Sequence, residues 1–526
     1  MVSNPILPGF HPDPSLCKAG DTWYIATSTF EWYPGVEINA SKNLSDWELV
    51  ARPLDRAALL DMRGNPDNCG VWAPALSYAD GLFWLIYTNV KRFDGSYKDA
   101  HNYLTTAPAI TGPWSDPVRM NSSGFDPSLF HDEDGRKWFV NMQWDYRGAE
   151  GPHPGGHFAG ILLQEYDHAK RTLVGPVTRI FEGSARGLTE APHLLRHDGK
   201  YVLITAEGGT GYEHAVTHAR ADTITGPYEL HPQTHVLTAA DKPEAGLLRI
   251  GHGQPAGDSE GWWHSFLCGR PLPGLRRCPL GRETGITRAW WGADGWMYCD
   301  DPQDSLRPDG YTEECKEYRF DGTMDLDFQW LRTPETERIF STTVRPGHLR
   351  LFGRESIGSW FEQALLARRQ TGWRYSAETV LAFEPRDFQS QAGLAAYYNR
   401  HQFHYLFLSR DEAGNRALAI QSCPGLWPEG TIERPIGEGV PVPEGLLELG
   451  VDVDLDALQF RWRVPGSEWA LIGPVLDASV LSDEGGRGEH SNFTGAFVGM
   501  AAQDASGQGL PADFATFRYW NRNAAG

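Results

Sequence analysis

The stretches GDTWYIATS (20–28), DGLFWLIYT (80–88), DGRKWFVNM (134–142), DGKYVLITA (198–206) and EGWWHSFLC (260–268) share one plan: a polar or acidic turn, an aromatic residue, then a short apolar strand. Their starts lie 60, 54, 64 and 62 residues apart. That period holds about four strands with their loops, the content of one propeller blade. The Asp-Gly pairs suit hairpin turns, because the turn needs positive φ and glycine supplies it without steric penalty. Five such units predict an all-β chain whose residues 1–306 form a five-bladed β-propeller. ITGPW (110–114), ITGPY (224–228) and LSDW (44–47) read as outer-strand hairpins whose aromatics pack the blades.

Beyond Asp300 the repeat stops. DDPQDSLRPDG (300–310) is polar and proline-containing, and a linker is expected over 307–324. Period-two alternation, as in Leu349–Phe352 and Leu458–Val464, predicts a β-sandwich over 325–526 that sends a loop to the active site. The stretch 360–369 alone reads as helical.

Each repeat is preceded by a short proline segment: HPDPS (11–15), WAPAL (72–76), FDPSL (125–129), TEAPH (189–193) and GHGQP (251–255). The innermost strands of a propeller line its channel, so equivalent positions meet around one axis. Asp13, Trp72, Asp126, Glu190 and His252 would therefore converge at one end of it. Asp before Pro is also a common turn signal. An acid in approximate register in three of five repeats exceeds what turn formation needs.

Three carboxylates in one pocket cannot ionise independently. Repulsion and burial separate their pKa values, leaving one charged as a base and another protonated as an acid. Glycoside hydrolysis requires that division. A divalent-cation site is the other use of such a set, but the acids stand on separate repeats without the dense spacing of a calcium loop.

Composition narrows the ligand. A net charge of −21 disfavours nucleic acid and anionic membranes as partners. Gly 58 and Pro 36 with Trp 20, Tyr 19 and Phe 24 describe a turn-rich, aromatic-rich chain suited to an uncharged polar ligand with faces to stack on, such as a sugar. Seven scattered cysteines show no zinc spacing, and Met1–Pro5 carries no secretory pattern, so a cytoplasmic address is expected. The apolar runs are strand-sized and too short to span a membrane.

The motifs NPILPGFHPDPS, STFEWYPGV, WAPAL, GFDPSLFHDEDGRKW, TEAPHL, AEGGTGY, CGRP and CPLGRETGI occur in order from residue 4, followed by FTGAFVGMAAQDASG (493–507) and PADFATFRY (511–519). Together they resemble glycoside hydrolase family 43, in particular its two-domain β-xylosidases. The resemblance implies an inverting enzyme with Asp13 as general base, Asp126 tuning and holding the acid, and Glu190 as general acid. It implies that Phe30, Trp72 and Trp144 form sugar-stacking walls, and that Arg282 bonds sugar hydroxyls. Thr210 would line the pocket and Phe493 would reach it from the sandwich. His252 resembles the imidazole under the channel floor, a neighbour of a divalent cation in some relatives. No cofactor is expected to be required, with calcium in the channel as an option. A homo-oligomer, dimer or tetramer, is also implied.

Two features depart from the pattern. His11 stands where some relatives have Asn, and only six residues separate GRP (269–271) from CPLG (278–281), in a segment that shapes the rim or an oligomer contact. The resulting expectation is an exo-acting β-xylosidase releasing xylose from the non-reducing ends of short β-1,4-xylo-oligosaccharides. α-L-Arabinofuranosidase or dual activity is the alternative, and a non-catalytic sugar-binding propeller a third reading.

Overall fold

The computed structural model describes residues 2–307, 314–437, 439–488 and 490–522, and it is built almost wholly of strands. Five antiparallel sheets follow one another along the first 300 residues, four of them with four strands and the last with five. Their first strands are Ser15–Ala19, Gly70–Ala79, Ser128–His131, Glu190–His197 and Leu248–Gly251. Each repeated stretch supplies the turn and the strand paired to that first strand. At Asp80-Gly81 and Asp198-Gly199 both residues have positive φ, the conformation that a two-residue hairpin turn demands. The outer turns use their aromatics alike: the Trp47, Trp114 and Tyr228 side chains donate to the carbonyls of Leu44, Ile110 and Ile224.

Ser15–Ala19 touches Gly70–Ala79, which touches Ser128–His131, which touches Glu190–His197. The fourth sheet then packs on Leu248–Gly251, and the fifth returns to Ser15–Ala19 through Pro255–Asp258. The contacts thus run round a ring. The chain's beginning closes it: Asn4 Nδ2 donates to the Ile286 carbonyl and to Ser305 Oγ, both at 2.8 Å, and Ile6 N–H donates to Thr284.

The remaining described strands form an eight-stranded sheet, a six-stranded sheet and a two-stranded one. In the six-stranded sheet Leu394, Ala396, Leu406 and Leu408 face the partner sheet, whereas Ala395, Tyr397, Tyr405 and Phe407 join a cluster containing Phe30 and Trp32 of the first region. Burial on both faces explains why runs such as LAAYY lack alternation. Two expectations change here. Within 360–369, Ala364–Arg369 is a strand paired with Phe497–Asp504, and all six of its residues are buried. A buried position between neighbours outweighs the helix propensity of Ala and Leu. Within 307–324, Lys316–Arg319 pairs with Thr516–Tyr519 and belongs to the eight-stranded sheet. The part of that segment at 308–313 lies outside the described residues.

The two regions interlock. Trp32 stacks on Phe497 with ring centroids 3.7 Å apart, Trp330–Leu331 pairs with Trp32–Tyr33, and Arg332 Nη2 bonds Asp67 at 2.7 Å.

Candidate active site

The five proline segments share a backbone feature absent from their letters. Asp13, Ala73, Asp126 and Ala191, each directly before a proline, have φ of 57°, 30°, 53° and 50°, and His252 has 36°. Non-glycine residues in this region are strained by about 1–3 kcal/mol each and persist only where surroundings hold them. Register breaks between Trp72 and Ala75, Glu190 and His193, and Leu248 and Gly251 bend three of these inner strands at the same level. Such bulges re-aim side chains at strand ends.

All ten residues singled out from sequence line one cavity of about 470 Å³: Asp13, Asp126, Glu190, Phe30, Trp72, Trp144, Thr210, His252, Arg282 and Phe493. The Asp13 carboxylate is fixed on both oxygens. Arg282 Nη1 donates to Oδ1 at 2.7 Å and Ser28 Oγ to Oδ2 at 2.6 Å, while His252 Nδ1 stands 3.7 Å from Oδ1. Ser28 Oγ also accepts the Ala73 N–H at 2.8 Å, which ties the first repeat to the second. Burial alone would raise the Asp13 pKa, but Arg282, His252 and the Ser28 bond together hold it below the ordinary carboxylate value.

The other two acids shift the opposite way. Burial and the Asp13 charge push Glu190 up to about 8. Burial, with Glu190 and Asp13 as like-charged neighbours, drives Asp126 well above its ordinary value. Asp126 Oδ2 accepts the Ala191 N–H at 3.1 Å and so grips the residue next to Glu190. Near neutral pH Asp13 is ionised and Glu190 is protonated, while Asp126 resists ionisation.

The walls are aromatic. Phe30, Trp72 and Phe493 stand 5.7–6.0 Å from one another by ring centroid, with Phe93 behind them. Phe493 comes from the sandwich and is latched at both backbone atoms: its N–H donates to Asn68 Oδ1 at 2.8 Å and its carbonyl accepts Arg282 Nη2 at 3.1 Å. One guanidinium therefore orients the Asp13 carboxylate and closes the wall. Trp144 lies beside Phe125, with ring centroids 6.2 Å apart, and its Nε1 donates to the Ser96 carbonyl at 2.9 Å. The Thr210 carbonyl accepts two bonds from Arg249, a buried cation paired with Asp483 of the sandwich at 2.8 Å. The short segment after GRP also meets the sandwich, where Arg277 Nη1 donates to the Ser479 carbonyl.

His252 is buried beside His214, whose ring interacts with the same Asp13 and Arg282 charges. Burial lowers His252 to about 4 and both His193 and His214 to about 3, so all three stay neutral imidazoles. Among the described residues no group of three or more His, Cys, Asp or Glu side chains is arranged to hold a metal ion.

Sequence reasoning missed Lys98, Ser28 and Asn68. The Lys98 ammonium lies 4.3 Å from the Trp144 ring centroid and 5.6 Å from that of Trp72. Burial lowers its pKa to about 8, with the Glu190 charge opposing the shift. No motif flags Lys98. Ser28, in contrast, closes the first repeat and opens STFEW, a place from which its role could have been suspected.

Comparison with known proteins agrees with this geometry. Residues 2–297 match "Glycosyl hydrolases family 43" and residues 317–520 match "Beta xylosidase C-terminal Concanavalin A-like domain". The chain is 54% identical to a protein of Humicola insolens named "Xylosidase/arabinosidase 43B", over 99% of this chain and 97% of that one. It is 44% identical to a "Beta-xylosidase" of Bacillus subtilis (strain 168), over 98% and 99%. The crystal structure of a xylan beta-1,4-xylosidase from Bacillus halodurans C-125 superposes with a TM-score of 0.94 at 45% identity, covering 99% of this chain and all of that one. Sequence, fold and relatives together establish that the chain belongs to glycosyl hydrolase family 43.

Proposed function

We propose that the five sheets are the blades of a propeller, and that its pocket makes the chain an exo-acting β-xylosidase working by inversion on short β-1,4-xylo-oligosaccharides. The observation that carries this reading is the opposed titration of Asp13 and Glu190 within one aromatic pocket. Asp13, held ionised, takes a proton from a water that attacks the anomeric carbon. Glu190, protonated at neutral pH, gives its proton to the glycosidic oxygen as the carbon–oxygen bond breaks. The sugar leaves with inverted configuration, and both acids regain their starting state by exchange with solvent. Asp126 orients the acid through the Ala191 amide, while burial and the Asp13 charge discourage the acid's ionisation.

The pocket favours a chain end because Phe493 and its latch wall one side. Phe30 and Trp72 offer apolar faces to the ring of a pentose, which carries no exocyclic hydroxymethyl group to desolvate. Catalysis needs no metal in this scheme. Free thiols at all seven cysteines fit a reducing, cytoplasmic setting that transported oligosaccharides would reach.

The test is a pair of initial rates, on aryl β-xyloside and aryl α-L-arabinofuranoside, with the configuration of the first product followed by NMR. Release of α-xylose from the β-linked substrate is expected, and first release of the β-anomer would overturn the mechanism. A dominant arabinofuranoside rate would favour the second activity, which the name of the Humicola insolens relative also carries.

A further inference from the structure

Glu31 is a buried acid that the catalytic scheme does not use. It is 1% exposed and follows the wall residue Phe30, yet it does not line the pocket. Its Oε2 accepts the Asn68 N–H at 3.0 Å, and its backbone carbonyl accepts the Arg332 N–H at 2.9 Å. Burial raises the Glu31 pKa to about 8, against the pull of Arg332 and with the Asp67 charge adding to the rise. At neutral pH the side chain is thus an uncharged acid that still offers an acceptor oxygen.

Asn68 is where the walls meet. Its Oδ1 accepts the Phe493 N–H at 2.8 Å, and its carbonyl accepts Trp72 Nε1 at 2.9 Å. Its φ is 64°, a left-handed conformation that a residue other than glycine keeps only where its surroundings fix it. The preceding residue is gripped from the sandwich side: Arg332 Nη2 donates to Asp67 Oδ1 at 2.7 Å and Arg400 Nε to Oδ2 at 2.8 Å. Phe30 and Val71 exchange two backbone bonds, each 3.0 Å long. Residues 30–31 and 68–71 are therefore one joined unit. Within it the Glu31 side chain is what holds the Asn68 amide.

We infer that Glu31 is a positioning residue of the pocket: by fixing the Asn68 amide it sets where the Trp72 and Phe493 rings stand around the sugar. Its reach does this, not its charge. Glutamine has the same length and an acceptor oxygen. Aspartate is shorter by one methylene, fails to reach the amide, and leaves a buried N–H without a partner, which is costly. A displaced wall weakens stacking on the sugar in the ground state and the transition state alike, which raises KM and spares kcat. The inference takes from the proposed function only that a sugar binds between these rings.

The test is steady-state kinetics on aryl β-xyloside and aryl α-L-arabinofuranoside, with the Kd of xylose measured in parallel by calorimetry. Glu31→Asp should raise KM and the xylose Kd about tenfold with kcat within about threefold of the parent, whereas Glu31→Gln should keep both affinities within about twofold. Asn68→Gly keeps the left-handed backbone unstrained and removes the Phe493 latch, so it should raise KM by itself. Adding Glu31→Asp to Asn68→Gly should raise KM only about threefold more, because the two changes act on one path. The acid limb of the kcat/KM profile should stay in place throughout, since none of these changes touches Asp13. Parent-like affinity in Glu31→Asp would overturn the inference, and so would parent-like affinity in Asn68→Gly, which decides the matter even where Glu31→Asp folds poorly. A loss in Glu31→Gln as large as in Glu31→Asp, a loss confined to kcat, or full additivity in the double variant would overturn it as well. Should the parent hydrolyse neither aryl glycoside while the xylose ratios hold, the proposed activity fails and the role of Glu31 stands.

Discussion

Replacing Arg282 by Met separates two jobs that the structure gives to one side chain. The guanidinium bonds Asp13 Oδ1 at 2.7 Å and the Phe493 carbonyl at 3.1 Å, and Arg282 is 1% exposed. A hydrogen bond to a charged partner is worth about 1.5–3 kcal/mol, which corresponds to a fall in kcat/KM of about 10- to 150-fold. The more informative change is in pH dependence. Burial is the largest influence on Asp13, and Arg282 is the first of the groups opposing it. Without the guanidinium the Asp13 pKa rises, the ionised base is lost at higher pH than in the parent, and the acid limb of the kcat/KM profile moves toward neutrality. Part of the lost rate should return as pH is raised. Asn68→Ala serves as control, because it frees the Phe493 amide without touching Asp13. It should raise KM and leave the acid limb in place. The profile on aryl β-xyloside from pH 4 to 9 decides the matter. A reduced rate with an unmoved acid limb would refute the assignment of Arg282 as the group that keeps Asp13 ionised.

Other perturbations follow from the same charges and contacts. Glu190→Gln should abolish turnover of unactivated xylobiose while retaining product binding, and should stabilise the protein at alkaline pH. The folded pKa of about 8 exceeds the ordinary 4.5, so the parent loses stability between those values as the unfolded chain sheds its proton. Thermal melts at pH 8 should favour the variant by up to a few kcal/mol, and the gap should close near pH 4.5. Lys98→Met removes a cation that holds the Glu190 pKa down, so the alkaline limb of the rate profile should move up. A downward movement would contradict the placement of Lys98 beside the acid. Phe497→Ala deletes the ring stacked on Trp32 between the two regions and should cost about 3–5 kcal/mol, read by denaturant unfolding. Exhaustive treatment with a chelator should leave the rate unchanged, and a loss restored by calcium would show a cation requirement that the scheme lacks.

The repeat was legible because a hairpin needs Asp-Gly and a blade needs an aromatic at its second strand, both of which are local demands. The three acids were legible because each sits beside a proline at a repeated position. Lys98 was not, since it reaches the pocket from a loop with no repeated counterpart and gains its meaning from four surrounding rings. Ala364–Arg369 misled for a related reason. A run of Ala and Leu buried on both faces carries no periodicity to choose between helix and strand, and its pairing partner, Phe497–Asp504, lies more than 120 residues away.

The left-handed residues explain how five similar segments yield different chemistry. In HPDPS and FDPSL the strained position before proline is itself the acid, Asp13 or Asp126. In TEAPH the strained residue is Ala191, and the acid is its predecessor Glu190. That shift by one residue gives the longer side chain to the general acid and frees the Ala191 amide to donate to Asp126, a bond that an acid at position 191 would have had to make beside its own charge. WAPAL repeats the offset, with Trp72 before the strained Ala73, and there the side chain becomes a wall, while the Ala73 amide anchors Ser28 against the base. The backbone kink is thus common to the segments, and the residue at or just before it selects the chemistry. Exchanging the order at Glu190-Ala191 would keep composition, charge and the proline. It should nevertheless abolish activity, because the carboxyl would move to position 191, leaving no acid at the leaving oxygen and setting its charge beside the amide that Asp126 accepts. Activity in that swapped variant within tenfold of the parent would show that the kink's register is irrelevant to catalysis.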